Sequence, residues 1–212
     1  MPLIYWAVLL FFFAAARQNA FDIEWVRQGA AQAGLMLQGE WWRAITALTL
    51  HLDGAHILGN LVFGTVFLLL LCQATGFGVA WLSAILAGTL GNVINAIAHT
   101  PAHTSIGAST ALFAAIGLLA ALRQAGLKRH SFFSLRNWAP LAGGATLLVF
   151  LGFSEGRTDI MAHIWGFAAG LGVGWALSRL PTETFDEQIL QWKCAGLAAG
   201  IIACAWGLAL VT

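Results

Sequence analysis

The chain has 212 residues, of which 59% are hydrophobic and only 9% charged, with a formal net charge of +1. Soluble domains carry roughly 25% charged residues, so the composition points to a membrane as the solvent. The near-neutral balance without a basic block argues against a nucleic-acid partner. Cys72, Cys194 and Cys204 lie in or beside apolar runs and offer neither a disulfide framework nor zinc spacing. The ten tryptophans suit rings placed at membrane–water boundaries.

Charge-free runs mark the spans. Residues 2–16 precede Arg17, residues 54–122 contain no Asp, Glu, Lys or Arg, and further runs lie between Arg136 and Glu155, between Asp159 and Arg179, and after Lys193. A membrane helix needs about 17–25 apolar residues, so the long run holds three, separated by turn signals at Ala74-Thr75-Gly76 and His99-Thr100-Pro101. Seven helices are predicted, near 3–16, 53–72, 78–97, 106–123, 138–153, 160–178 and 190–210. The fold class is an all-α membrane bundle. The first run ends in Ala14-Ala15-Ala16 and has a signal peptide as its alternative reading, but it lacks the basic leader of such peptides. Either reading leaves residue 17 outside.

Basic residues set the expected orientation. Arg123, Lys128, Arg129 and Arg136 surround the connection between helices four and five, and Arg179 and Lys193 flank that between six and seven. Positive residues favour the cytoplasm, so helices two, four and six run from outside to inside. Polar residues inside a membrane are costly and face a cavity or a partner helix. His56 and Asn60, four apart, share one face of helix two. Gly107-Ala108-Ser109-Thr110 opens helix four, and Asp159-Ile160-Met161-Ala162-His163 opens helix six. With a common direction, the three sets meet at one depth in the outer leaflet.

That meeting is chemically suggestive. A serine hydroxyl becomes a nucleophile when a base takes its proton, and neutral histidine is a suitable base. A tetrahedral intermediate needs donors aimed at its oxyanion, which an Asn amide, a His ring N–H and backbone N–H groups near Ser109 can supply. Gly166, Gly170 and Gly174 recur every four residues on the face carrying His163, a spacing that allows close helix approach. Each piece alone has a plain structural reading: a back-bonded serine, an interhelical histidine, a packed helix. Asn92 and Asn95 read as interhelical glue.

Taken together, the residues resemble the signature of the rhomboid family of intramembrane serine proteases, bacterial type, with a six-helix core and a seventh helix added. The matching residues are Trp42-Arg43 in the first outer loop and His51, His56 and Asn60 around helix two. Gly107-x-Ser109 opens helix four, and Ala162, His163, Gly166 and Gly170 lie on helix six. The resemblance covers about residues 3–180, leaving residues 181–212 as a short cytoplasmic connection and the extra helix. It implies a Ser109–His163 catalytic dyad and an oxyanion hole from His56, Asn60 and the backbone at Ser109. It also implies support of the outer loop by His51 and Arg43, and Phe113 stacked on His163 where the family usually has Tyr. Thr110 stands where the family usually has glycine, and its extra volume should widen the crossing of helices four and six or demand a small partner. The resemblance further implies single-span membrane-protein substrates, no metal or cofactor, and an active site on the extracytoplasmic side of a bacterial plasma membrane.

Other intramembrane protease types fit poorly. His-Glu-x-x-His is absent. His99-Thr100-Pro101-Ala102-His103 has the spacing of two metal ligands, but Pro101 breaks the helix that would align them. Asp53 and Asp159 sit only at helix ends. The alternative from another class is a non-proteolytic rhomboid relative that binds membrane-protein clients; such members lack the dyad.

Overall fold

The computed structural model describes residues 2–125 and 159–212. The expected fifth helix at 138–153 and the basic residues Lys128, Arg129 and Arg136 lie outside the described residues. Among the described residues six long helices are observed: α1 (Pro2–Gln18), α5 (Gly54–Thr75), α6 (Phe77–Ala98), α7 (Ser109–Ala125), α8 (Ile160–Leu177) and α9 (Gln188–Val211). Between α1 and α5 the connecting loop (the outer loop of the expected orientation) folds into three short helices, α2 (Trp25–Gly29), α3 (Ala33–Leu37) and α4 (Arg43–Thr46). Among the described residues four helices, α5, α6, α8 and α9, are long and apolar enough to cross a membrane. The chain is therefore an all-α integral membrane protein.

Helix starts and stops follow local chemistry. Asp53 caps α5 by accepting the His56 N–H at 2.8 Å, and Asp159 caps α8 by accepting the Ala162 N–H at 3.0 Å. Gly76, with φ of 76°, makes the left-handed turn that lets α6 begin two residues after α5 ends. Helix α6 stops at Ala98, ahead of Pro101, whose ring disfavours helical backbone before it.

Helix α7 departs from expectation. It was predicted from 106 but begins at Ser109 and spans 17 residues. The preceding residues are held elsewhere: β2 (Thr104–Ser105) pairs antiparallel with β1 (Ala31–Gln32) of the outer loop. Gly107 then adopts φ of 135°. At ~1.5 Å rise per residue α7 is roughly 25 Å long, less than the ~30 Å hydrocarbon layer. Non-helical backbone within a membrane is tolerated where it is covered by protein or lines a cavity, and residues 104–108 do both.

Helices α7 and α8 cross closely. An added Cβ at Gly166 would lie 2.3 Å from Thr110 O, at Gly170 2.1 Å from Ala114 O, and at Gly174 2.8 Å from Leu118 O. Thr110 does have small partners: its methyl group occupies the space beside Gly91 of α6 and Gly166 of α8. A Cβ at Gly91 would itself stand 2.7 Å from the Gly166 Cα, so three helices meet around one threonine.

The outer loop is tied down by buried polar groups. Arg43, 6% exposed, donates to Glu40 (2.6 Å) and to the carbonyls of Arg27 (2.9 Å) and Ala30 (3.1 Å). Asn92 on α6 donates to the Ala44 carbonyl at 2.8 Å, so this residue joins a span to the loop. Helix α1 is fastened to α5 by Tyr5, which donates to the Asn60 carbonyl at 2.7 Å, and by Trp6, which donates to Thr65 at 2.8 Å.

Helix α9 is anchored at both ends. Trp206 packs against Phe12 and Trp25 and donates to the Thr49 hydroxyl at 3.1 Å. At the other end the Gln191 side chain, 4% exposed, accepts from the Gly78 and Val79 N–H groups at 2.7 and 3.1 Å. It also donates to the carbonyls of Thr75 (3.1 Å) and Phe185 (2.9 Å). One side chain thus satisfies the start of α6 and the end of α5 together. Gln191→Leu should destabilise the protein by about 3 kcal/mol, because buried backbone groups lose their partners. Thermal unfolding in detergent checks this, with Gln188→Leu at an exposed position as the control expected to change little.

Candidate active site

Ser109 is the first residue of α7, and His163 lies at the start of α8. The close crossing of these helices brings Ser109 Oγ within 2.8 Å of His163 Nε2. Both residues are buried, at 5% and 3% exposure. Phe113, one turn below the serine and fully buried, stacks on the His163 ring with centroids 4.4 Å apart and planes 20° from parallel. The stack fixes the ring plane, so Nε2 points at the hydroxyl. Nδ1 of His163 has no hydrogen-bond partner among the described residues.

The pair faces a cavity of about 260 Å³ whose walls include His56, Ser105, Ser109, Asp159 and His163. Leu52 and Val26, both exposed, form its rim. At ~30 Å³ per water the space holds several waters.

Gly107 admits His56 to this wall. A Cβ at Gly107 would stand 2.7 Å from His56 Nε2 and 3.3 Å from Ser109 Oγ, and its φ of 135° is itself unfavourable for any side chain. The His56 ring nitrogen and the backbone at residues 107–109 therefore surround the serine. Asn60 stands differently. Its amide donates to the His56 carbonyl of its own helix at 3.0 Å, its Oδ1 has no partner among the described residues, and it is absent from the cavity wall. Of the two side-chain donors expected at the site, the structure brings His56 to it and leaves Asn60 behind.

His51 packs edge-on against His56, ring centroids 5.1 Å apart, and its Nε2 accepts the Ala108 N–H at 3.4 Å. It thereby buttresses the turn leading into Ser109. Burial first, and the adjacent His56 second, lower its pKa to about 3, against a smaller opposing hydrogen bond to the Thr49 backbone. A neutral His51 is required for its acceptor role.

Two features were not anticipated as parts of the site. Asp159 lies on the cavity wall one turn before His163 and is held by Asn95 (2.7 Å) and His103 (2.8 Å). Burial raises its pKa, but the hydrogen bonds from Ala162 N–H, His103, Asn95 and Ser105 outweigh this and leave it lowered, so the carboxylate is ionised. The second is the pair His99 and His103. Pro101 does end the helix, yet the turn around it stacks the two rings, with centroids 3.9 Å apart and planes 16° from parallel. Pro101 thus prevents the alignment a continuing helix would give, as expected, but it does not keep the rings apart: they meet face to face.

A buried hydrogen-bonded pair of serine and histidine, at helix starts beside a polar cavity in a helical membrane bundle, defines a membrane protein with the makings of a hydrolytic site. The rhomboid domain model matches residues 38–180, and the chain belongs to the rhomboid family. It is 30% identical to the rhomboid protease GluP of Bacillus subtilis over 195 residues, which are 87% of this chain and 36% of the relative. It is 32% identical to rhomboid-like protease 2 of Toxoplasma gondii over 180 residues, 83% of this chain and 62% of the relative. Identity to the chloroplastic rhomboid-like protein 11 of Arabidopsis thaliana is 25% over 159 residues, 70% and 57% of the two chains. The chain thus spans from about a third to under two thirds of the length of these relatives.

The neutral state of His51 gives a signed pH dependence. Between about 3 and 6.5 the unfolded chain binds a proton here that the folded chain does not, so this residue makes stability rise with pH across that window. Each unit below 6.5 should cost about 1.4 kcal/mol through this residue alone. Thermal unfolding from pH 7 down to 4.5 should show a shallower fall in His51→Gln than in the parent.

Proposed function

We propose that this chain is an intramembrane serine endopeptidase that cleaves transmembrane segments of membrane-anchored proteins near the outer leaflet. The observation that carries the reading is the 2.8 Å contact of Ser109 Oγ with His163 Nε2 on the wall of a polar cavity. Membership of a family with named proteases among its members supports it.

In this reading the Ser109 hydroxyl passes its proton to His163 Nε2 as Oγ attacks the scissile carbonyl carbon. The oxyanion accepts from the His56 ring N–H and from backbone N–H at Ser109. Collapse breaks the C–N bond, His163 protonates the leaving amine, and a cavity water hydrolyses the acyl-enzyme by the reverse proton path. Phe113 holds the base in plane, Gly107 leaves room for His56, and Gly166 and Gly170 allow α7 and α8 to meet. His51 and Arg43 support the loop above, and Asn60 acts behind His56.

The substrates proposed are single-span proteins, taken up from the lipid bilayer by residues 1–180, with the seventh helix of 181–212 as a brace. The active site faces the extracytoplasmic side, a reading supported by Arg123 and Arg179 at the far ends of the helices that carry the dyad and by Lys193 in the second turn of α9. A bacterial plasma membrane is the setting carried over from the family resemblance. A non-proteolytic, client-binding role is disfavoured by the presence of both Ser109 and His163 in contact.

Cleavage of a single-span substrate in proteoliposomes tests the reading. Ser109→Ala and His163→Ala should each abolish nearly all turnover, and the double variant should be no worse, because nucleophile and base act as a unit. Asn60→Ala should retain measurable activity, a loss smaller than the roughly 2.7–4 kcal/mol of a sole oxyanion donor. Full cleavage by Ser109→Ala would refute the assignment.

A further inference from the structure

The end of α6 and the start of α8 carry a cluster that the proposed hydrolysis does not use. One ligand atom each from His99, His103 and Asp159 lie within 4.8 Å of one another, all three residues being half-buried. We propose that these residues form a zinc site that fastens the turn after α6 to the beginning of α8.

The donors are suited to this chemistry. Two imidazoles and a carboxylate form a nitrogen–oxygen set of the kind zinc accepts, with water in the fourth position. His99 Nδ1–H donates to the Asn95 carbonyl at 2.9 Å, which fixes the tautomer and leaves the lone pair on Nε2. That nitrogen makes no hydrogen bond among the described residues. His103 Nε2 stands 2.8 Å from Asp159 Oδ2, with a proton between them. Zinc would take that proton's place, releasing it to water and bonding to both atoms. Asp159 Oδ1 is already committed to the Ala162 N–H, so the helix cap survives metal binding. Asn95, 2% exposed, donates to Oδ2 at 2.7 Å and orients the carboxylate, while its own Oδ1 has no partner among the described residues.

Some movement is required. Tetrahedral ligands at bond lengths near 2.05 Å stand roughly 3.3 Å apart, so the His103–Asp159 edge must open by about half an ångström. An imidazole lone pair lies in its ring plane, so the stacked rings must also fan apart. His99, just past the end of α6 and half-buried, is the ring that must turn, pivoting about its Nδ1–H bond to the Asn95 carbonyl. The consequence is local: zinc would lock the first turn of α8 four residues ahead of His163, on a wall of the same cavity.

Calorimetric titration of zinc into the chelator-stripped full chain in detergent tests this, with thermal unfolding in parallel. The expected result is one zinc per chain and a rise in the thermal midpoint. Binding should be weakened at least ten-fold in His99→Ala and in Asp159→Asn, the second keeping a capping side chain. Ser109→Ala should bind as the parent does, which separates this site from the serine–histidine pair. No saturable binding by the parent, or undiminished binding by His99→Ala, overturns the proposal. Because the readout is binding, its failure leaves the proteolytic reading untouched, and a failure of proteolysis leaves this one untouched.

Discussion

The separation of two helix backbones governs what this molecule can do. Lipid gives helices no hydrophobic incentive to associate, so they are held by close packing and by hydrogen bonds between buried polar groups. Helices α7 and α8 approach until the carbonyls of Thr110, Ala114 and Leu118 lie where side chains would begin at Gly166, Gly170 and Gly174. Only at that distance does a short serine side chain on one helix reach an imidazole on the other. A methyl group at Gly170 would meet the Ala114 backbone, which cannot swing aside, and would push α7 and α8 apart. The crossing is the scaffold of the proposed chemistry, and Thr110 contributes to it by filling the space left between Gly91 and Gly166.

The second constraint is the cost of unpaired polar groups away from water. The outer loop meets it by turning Arg43, Thr46 and Thr49 inward onto backbone carbonyls. Trp206 then extends that network into α9, which also meets the α5–α6 turn through Gln191. Helix α9 therefore ties the outer-loop threonine network to the α5–α6 turn. At the cavity the same requirement acts differently: Asp159 keeps its charge by gathering N–H donors from three separate segments.

Much of this was legible in the amino-acid order. Charge-free runs located, to within a few residues, the six long helices among the described residues, because a charge in hydrocarbon is costly wherever it falls. His163 and the Gly166–Gly174 series could be placed on one face by helical periodicity and Ser109 at their depth by the common helix direction, whereas Phe113 followed only from the family resemblance. What escaped depended on tertiary placement. Nothing in Ala31-Gln32 announces a partner at Thr104-Ser105, and that ladder is why α7 starts three residues late. Asn60 has the right face and spacing for the cavity, yet back-bonds to its own helix, a choice of rotamer that spacing cannot specify. Gln191 looks like one polar residue at a helix start, and its four bonds exist only because a tight glycine turn stands opposite. The helix break at Pro101 was legible, but not that the turn it enforces brings His99 and His103 face to face.

The central claim is that His163 activates Ser109 within a water-filled cavity reached from outside the cell. A membrane-impermeant fluorophosphonate, applied to intact cells and followed by peptide mapping, addresses it most directly. The account predicts a single adduct on Ser109, formed without permeabilisation and absent from a folded His163→Ala variant. An adduct on another residue, undiminished labelling in His163→Ala, or labelling only after the cells are opened would contradict it.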